Sequence, residues 1–143
     1  MKQSIVLANE QAIALYNYIQ NAKLDRVKNR NRWKFLEVIE DKVFSYEETV
    51  TKKTQTLNDL QRSMTPDEES QRDVTAKKDK ITEEIRTLAK EENMFVFNDR
   101  EIFTEGKAFF EGSTEELQGQ QSKLYKQIED AFIHTKVVDE SNN

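Results

Sequence analysis

Cysteine is absent from this chain of 143 residues, which excludes disulfides, thiolate metal sites and a cysteine nucleophile. Proline occurs once and glycine three times, so little interrupts a helix or shapes a tight loop. No apolar run approaches the ~18 residues a membrane-spanning helix requires. The opening Met1–Leu7 is too short and too weakly apolar for a secretion signal. Histidine occurs once, as His134. Asp130 lies four residues before it, but a zinc site wants three or four such ligands, and an exposed surface histidine is the simpler reading. There is no glycine-rich phosphate loop, no G-x-S-x-G and no H-E-x-x-H. With no nucleophile, tuned base, metal set or cofactor cradle to point to, the sequence predicts a protein that is not an enzyme and carries no cofactor.

What remains is charge. Charged residues make up 34% of the chain and hydrophobic residues 36%. A compact globule usually carries roughly 45–50% apolar residues, counting glycine. Long helices need only a narrow apolar seam, and the spacing of the apolar residues points to them rather than to disorder. The formal net charge is −5. From Lys23 to Lys34 six bases face one acid, a local balance of +5, so the rest of the chain carries −10. An acidic chain with one basic segment suggests a local contact rather than a coat for nucleic acid.

The clearest pattern lies in the middle. Leu36, Val43, Val50, Leu57 and Met64 are seven apart, and Ile39, Tyr46 and Leu60 fall three after members of that series. Interleaved spacings of three and four place them on one stripe of a helix over about 32–63, the seam of a heptad repeat. Lys53 interrupts the seam, with its stem free to lie along it and its ammonium in water. Thr65-Pro66-Asp67-Glu68 reads as a helix start, with Thr65 as cap, Pro66 in the first position and Glu68 closing a capping box. A second helix then runs over about 66–92, with Val74, Ile81 and Leu88 seven apart and Ile85 between the last two. So short a connection forces the two to run antiparallel. The seam is thin before Val74, so the tip, about Thr54 to Arg72, is the least stable part.

Shorter helices flank this pair. One spans about 9–22, capped by Asn9, with Ala12, Ile13, Leu15, Tyr16 and Ile19 on one side. Ser4–Leu7 before it is compatible with an extended strand. Asn98 and Glu101 form a capping box for a helix over about 99–111, which Gly112 ends or bends. A last helix runs over about 120–136, with Leu124, Tyr125, Ile128, Ala131 and Phe132 on one face, and Val137–Asn143 fray. Met94–Phe97 is a short apolar run whose spacing fits a strand or an apolar hinge equally well. Phe95, Phe97, Phe103, Phe109, Phe110 and Phe132 read as core. The fold class predicted is all-α: a single domain over 1–143, built on a long, coiled-coil-like antiparallel hairpin and packed at its base by short N- and C-terminal helices.

The residues singled out for binding are Arg26, Lys28, Arg30, Arg32, Trp33 and Lys34. On a helix, Arg26, Arg30 and Lys34 share one face and can clasp phosphates, while Trp33 can stack on a base. The alternatives are that Trp33 and Leu36 enter the core while the bases solvate a helix start, or that the bases pair with an acidic surface of another subunit.

The order of these elements resembles a known group. An opening helix carries Asn9, Ala12, Leu15 and Tyr16. A basic Asn29-Arg30-x-Arg32 element and a long charged helix follow. The chain closes with Leu117-x-Gly119 and Leu124-Tyr125-x-x-Ile128-x-Asp130-Ala131-Phe132. Over about residues 5 to 135 this is similar to a family of small uncharacterised proteins, a domain of unknown function, from tailed phages and prophages of Gram-positive bacteria. The resemblance implies phage origin and supplies no catalytic residues. It places the protein in the host bacterial cytoplasm or on the virion. The functional expectation is a non-enzymatic accessory or structural protein that acts by helix-mediated association. Its partner would be itself, as a homo-oligomer, or another phage or host protein. The alternative is a small inhibitor that binds a host protein or sequesters a phosphorylated nucleotide through residues 23–34.

Overall fold

The computed structural model describes residues 2–111 and 119–138. The chain is mostly helical, as the spacing predicts, but it is not all-α. Among the described residues the order is β1 (Lys2–Ala8), α1 (Asn9–Asn21), α2 (Arg26–Ser63), α3 (Glu68–Lys90), β2 (Glu92–Phe97), α4 (Arg100–Glu111), α5 (Gly119–Ile133) and β3 (Lys136–Val138). The strands form one antiparallel sheet in the order β2-β1-β3. Ile5 stands opposite Phe95, and Gln3 stands opposite Phe97 and Val137. Alternation along β1 sends Ile5 and Leu7 to one face, where they are buried with Phe95 and Phe97. On the other face Val6 lies opposite Met94, and both are exposed.

Met94–Phe97 is therefore strand, and the last helix stops at Ile133 so that Lys136–Val138 can pair with β1. The predicted helix to 136 and the fraying of Val137 are both corrected. The end of the helix at Gly112 and the tail 139–143 lie outside the described residues.

One core holds the body together. It joins Ile5 and Leu7 of β1, Leu15 and Ile19 of α1, Phe35, Leu36, Ile39 and Val43 of α2, Phe95 and Phe97 of β2, and Phe103, Phe110, Ile128 and Phe132 beyond. Its aromatic rings run in contact. Phe35 stacks on Phe97 at 4.8 Å, Phe97 meets Phe103 edge-on at 5.2 Å, and Phe132 lies 5.8 Å from both Phe103 and Phe110. Each such pair adds about 0.5–1.5 kcal/mol beyond its buried area. Gly106 lets α4 come this close to α2, because a Cβ there would lie 2.1 Å from Phe35 Cδ2.

Beyond Val43, α2 buries nothing, and α3 buries only Val74. α2 has 38 residues, so it is about 57 Å long at about 1.5 Å per residue. Its second half and α3 thus form an arm outside the core. Lys53 Nζ bonds Glu84 Oε2 at 3.0 Å and Lys78 Nζ bonds Gln61 Oε1 at 2.6 Å, cross-links that fix the two helices antiparallel.

The helix starts differ from the sequence reading by one theme: the nearest aspartate, rather than threonine or asparagine, does the capping. Asp67, not Thr65, caps α3 by accepting from Ser70 N at 2.9 Å, and the helix begins at Glu68 rather than at Pro66. Asp99, not Asn98, caps α4 by accepting from the amides of Glu101 and Ile102. A carboxylate at this position also answers the positive end of the helix dipole. Asn9 is the first residue of α1 rather than its cap. Its Nδ2 donates to Leu88 O at 2.8 Å and its Oδ1 accepts from Asn93, so it ties the end of α3 to the start of α1.

Candidate interaction surface

The bases of residues 23–34 lie at the start of α2. Asp25 caps the helix, its Oδ1 accepting from Lys28 N at 2.9 Å. Arg26 is thus already helical, and the helix begins six residues before the predicted 32. Arg32 leaves the set of binding residues. It is buried, with Nη1 donating to Gln20 O at 2.9 Å and Nη2 to Ala22 O at 2.5 Å. Those carbonyls end α1, whose last turn holds no base of its own. Arg32 thus neutralises the negative end of that helix. The spacing held the signal, since Arg32 stands four before Leu36 and seven before Ile39, in register with the buried stripe.

Arg26, Lys28, Arg30 and Lys34 are exposed, and Trp33 retains 39% of its surface. Steps of four place Arg26, Arg30 and Lys34 on one outward stripe, while Lys28 falls off it. None of the four makes an ion pair among the described residues. No acid stands in the first turn of α2, and Asp25 beside it is taken up in capping the helix, so these cations gather at the positive end of a long helix. Further along the same outward side are Glu37 and Asp41, also exposed and also without an ion pair among the described residues. Neither of these two acids stands out in the sequence.

Two other hollows lie elsewhere on the molecule. A cleft of about 420 Å³ between α1 and α5 is lined by Glu10, Asn17, Lys90, Gln121, Lys123 and Tyr125, and Lys90 there pairs with Glu10 at 2.5 Å. A groove of about 560 Å³ runs along the arm past Lys53, Glu84 and Leu88. The Asp130 carboxylate is engaged by Lys126 at 3.3 Å. Among the described residues no group of three or more His, Asp or Glu side chains is placed to hold a metal ion. None of their helices is long and apolar enough to cross a membrane.

Neither protein-family models, curated proteins nor solved structures match this chain. The surface stands on its own chemistry: exposed charge of both signs on one helix face, without an ion pair among the described residues, beside an arm that buries one side chain.

Proposed function

We propose that this is a non-enzymatic phage accessory or structural protein that works by helix-mediated association, with itself or with another phage or host protein. One observation carries the reading. The arm's apolar seam, a coiled-coil-like hairpin of Val50, Leu57, Leu60, Ile81, Ile85 and Leu88, is only half-buried by its own two helices. Two helices alone leave one side of such a seam in water, and a further helix would close it. The phage origin rests on the family resemblance, and with it the host cytoplasm or the virion as the place of action.

A second reading has its own support. Arg26, Arg30 and Lys34, without an ion pair among the described residues, and Trp33 beside them suit a phosphorylated nucleotide, with cations on the phosphates and the indole on the base. The chain would then sequester a host signal.

Sedimentation equilibrium of the whole chain, with and without Leu57→Ser and Ile81→Ser, tests the first reading. An assembly larger than one chain, shifted to lower mass by the arm substitutions, supports it. A monomer that binds a labelled nucleotide, and loses it when Arg26, Arg30 and Lys34 become Ser, favours the second.

A further inference from the structure

Val27, Lys34 and Asp41 are seven residues apart, as are Arg30, Glu37 and Phe44, and the two series interleave at steps of three and four. This is a second heptad stripe on α2, on the side away from the core stripe of Arg32, Leu36, Ile39 and Val43. Its apolar members are exposed, Val27 at 69% and Phe44 at 48%. Its charged members have no ion-pair partner among the described residues. Lys34 and Glu37 stand one turn apart, yet no ion pair links them. Elsewhere in the chain the pairs three or four apart are used, as between Glu48 and Lys52 or Glu83 and Arg86.

The order of residues along the stripe inverts its own charge. Read from Val27 it runs apolar, base, base, acid, acid, apolar. Turned end for end, it meets itself with every member matched. We propose that the outward face of α2 binds the same face of a second copy, antiparallel, about a two-fold axis at the level of Phe35 and Leu36. Arg30 then faces Asp41 of the other copy, Lys34 faces Glu37, and Val27 faces Phe44, each twice. Antiparallel helix seams join one heptad series to the other, and all three matches obey that rule. A two-fold interface must be self-complementary, and this stripe is so in both charge and hydrophobicity. It explains why cations gather at a helix start that disfavours them: the acids that answer them belong to the neighbour.

The inference rests on the reading of helix-mediated association but places one interface on the body rather than on the arm. Two charge-reversed variants test it, R30E/K34E and E37K/D41K. All four positions are exposed or solvated, so both chains fold, which circular dichroism checks. Each variant alone is expected to be monomeric by sedimentation equilibrium at low salt. An equimolar mixture is expected to recover the mass of two chains, since the all-acidic stripe of one meets the all-basic stripe of the other. The wild-type assembly weakens with salt, because screening shortens from about 10 Å at 0.1 M to about 3 Å at 1 M. Val27→Cys with Phe44→Cys gives a second test in a chain with no other cysteine. Within one chain these positions are about 25 Å apart along the helix, too far for a disulfide, so oxidation joins two chains, and a seated interface makes this faster than collision does in the R30E/K34E background. Variants that keep the wild-type mass, with no cross-link, overturn this interface while leaving association through the arm intact. A wild-type chain that is monomeric at low salt overturns it as well.

Discussion

Arg32 sets the residue scale, because six bases of one segment turn out to do different work. Arg32→Ala would strip two carbonyls at the end of α1 of their donors in a buried place. A loss of about 1–3 kcal/mol is expected from urea unfolding. Arg32→Lys should recover only part of it, since one ammonium replaces a planar fork of donors. Arg30→Ala, on the outward face, should stay within about 0.5 kcal/mol for the isolated chain. Equal losses at both positions would show that Arg32 is not the cap of α1. The sequence carried the distinction in the spacing, where 32 joins 36, 39 and 43. Composition hid it, because an arginine among bases reads as part of a patch. The unpaired guanidinium Nε of Arg32 is buried as well, so the residue is held by two hydrogen bonds and by packing.

At the scale of elements, the seam of α2 was legible because it is local: side chains three, four and seven apart meet on one helix. Val43 and Ile39 are fully buried, so Val43→Asp or Ile39→Asp should unfold the body, each costing several kcal/mol against a total of about 5–15. Glu40→Lys, on the half-exposed side toward Tyr16, should be nearly neutral by thermal melting. The strands were not legible in the same way. β1 pairs with β2 across about two-thirds of the chain, and nothing in Ser4–Leu7 or Met94–Phe97 names the other as its partner. Helix starts were legible as places but not as atoms. Two capping side chains, Thr65 and Asp67, compete at Thr65-Pro66-Asp67, and geometry chose Asp67.

That choice has a pH signature. The Thr65 hydroxyl and the Ser70 amide both donate to Asp67, and they hold its carboxyl below the usual 3.8. A lowered value in the folded state means that the cap's contribution is complete above the unfolded pKa. It is then lost as pH falls through the lowered one. Asp67 is fully exposed, so the effect stays local to the first turn of α3. Amide exchange at Ser70 and Gln71 should quicken in Asp67→Ala at neutral pH and match the wild type in strong acid. Asp67→Asn should keep the cap, since asparagine serves as well, and lose its pH dependence. A wild-type turn that is indifferent to pH would show that Asp67 does not hold it.

For the molecule as a whole, the division between body and arm decides what is stable and what is free to act. The body has one continuous core that gathers β1, α1, the first half of α2, β2, α4 and α5. The arm has Val74, a half-buried seam and cross-links such as Lys53 to Glu84 that are partly open to water. Exposed pairs of this kind contribute about 0–1 kcal/mol each. Opening the arm therefore costs much less than unfolding the body, and the two should separate in native-state hydrogen exchange. Amides over 54–72, around the turn between α2 and α3, should exchange fastest of the helical residues, and those of 35–43 should approach the global limit. If the arm seam closes against another helix, exchange over 50–88 should slow with protein concentration. If copies meet only through the outward face of α2, the arm should stay fast at every concentration, and the sole tryptophan, Trp33, beside the stripe, should shift its emission to the blue instead. Uniform protection across arm and body in a monomer would contradict the division itself.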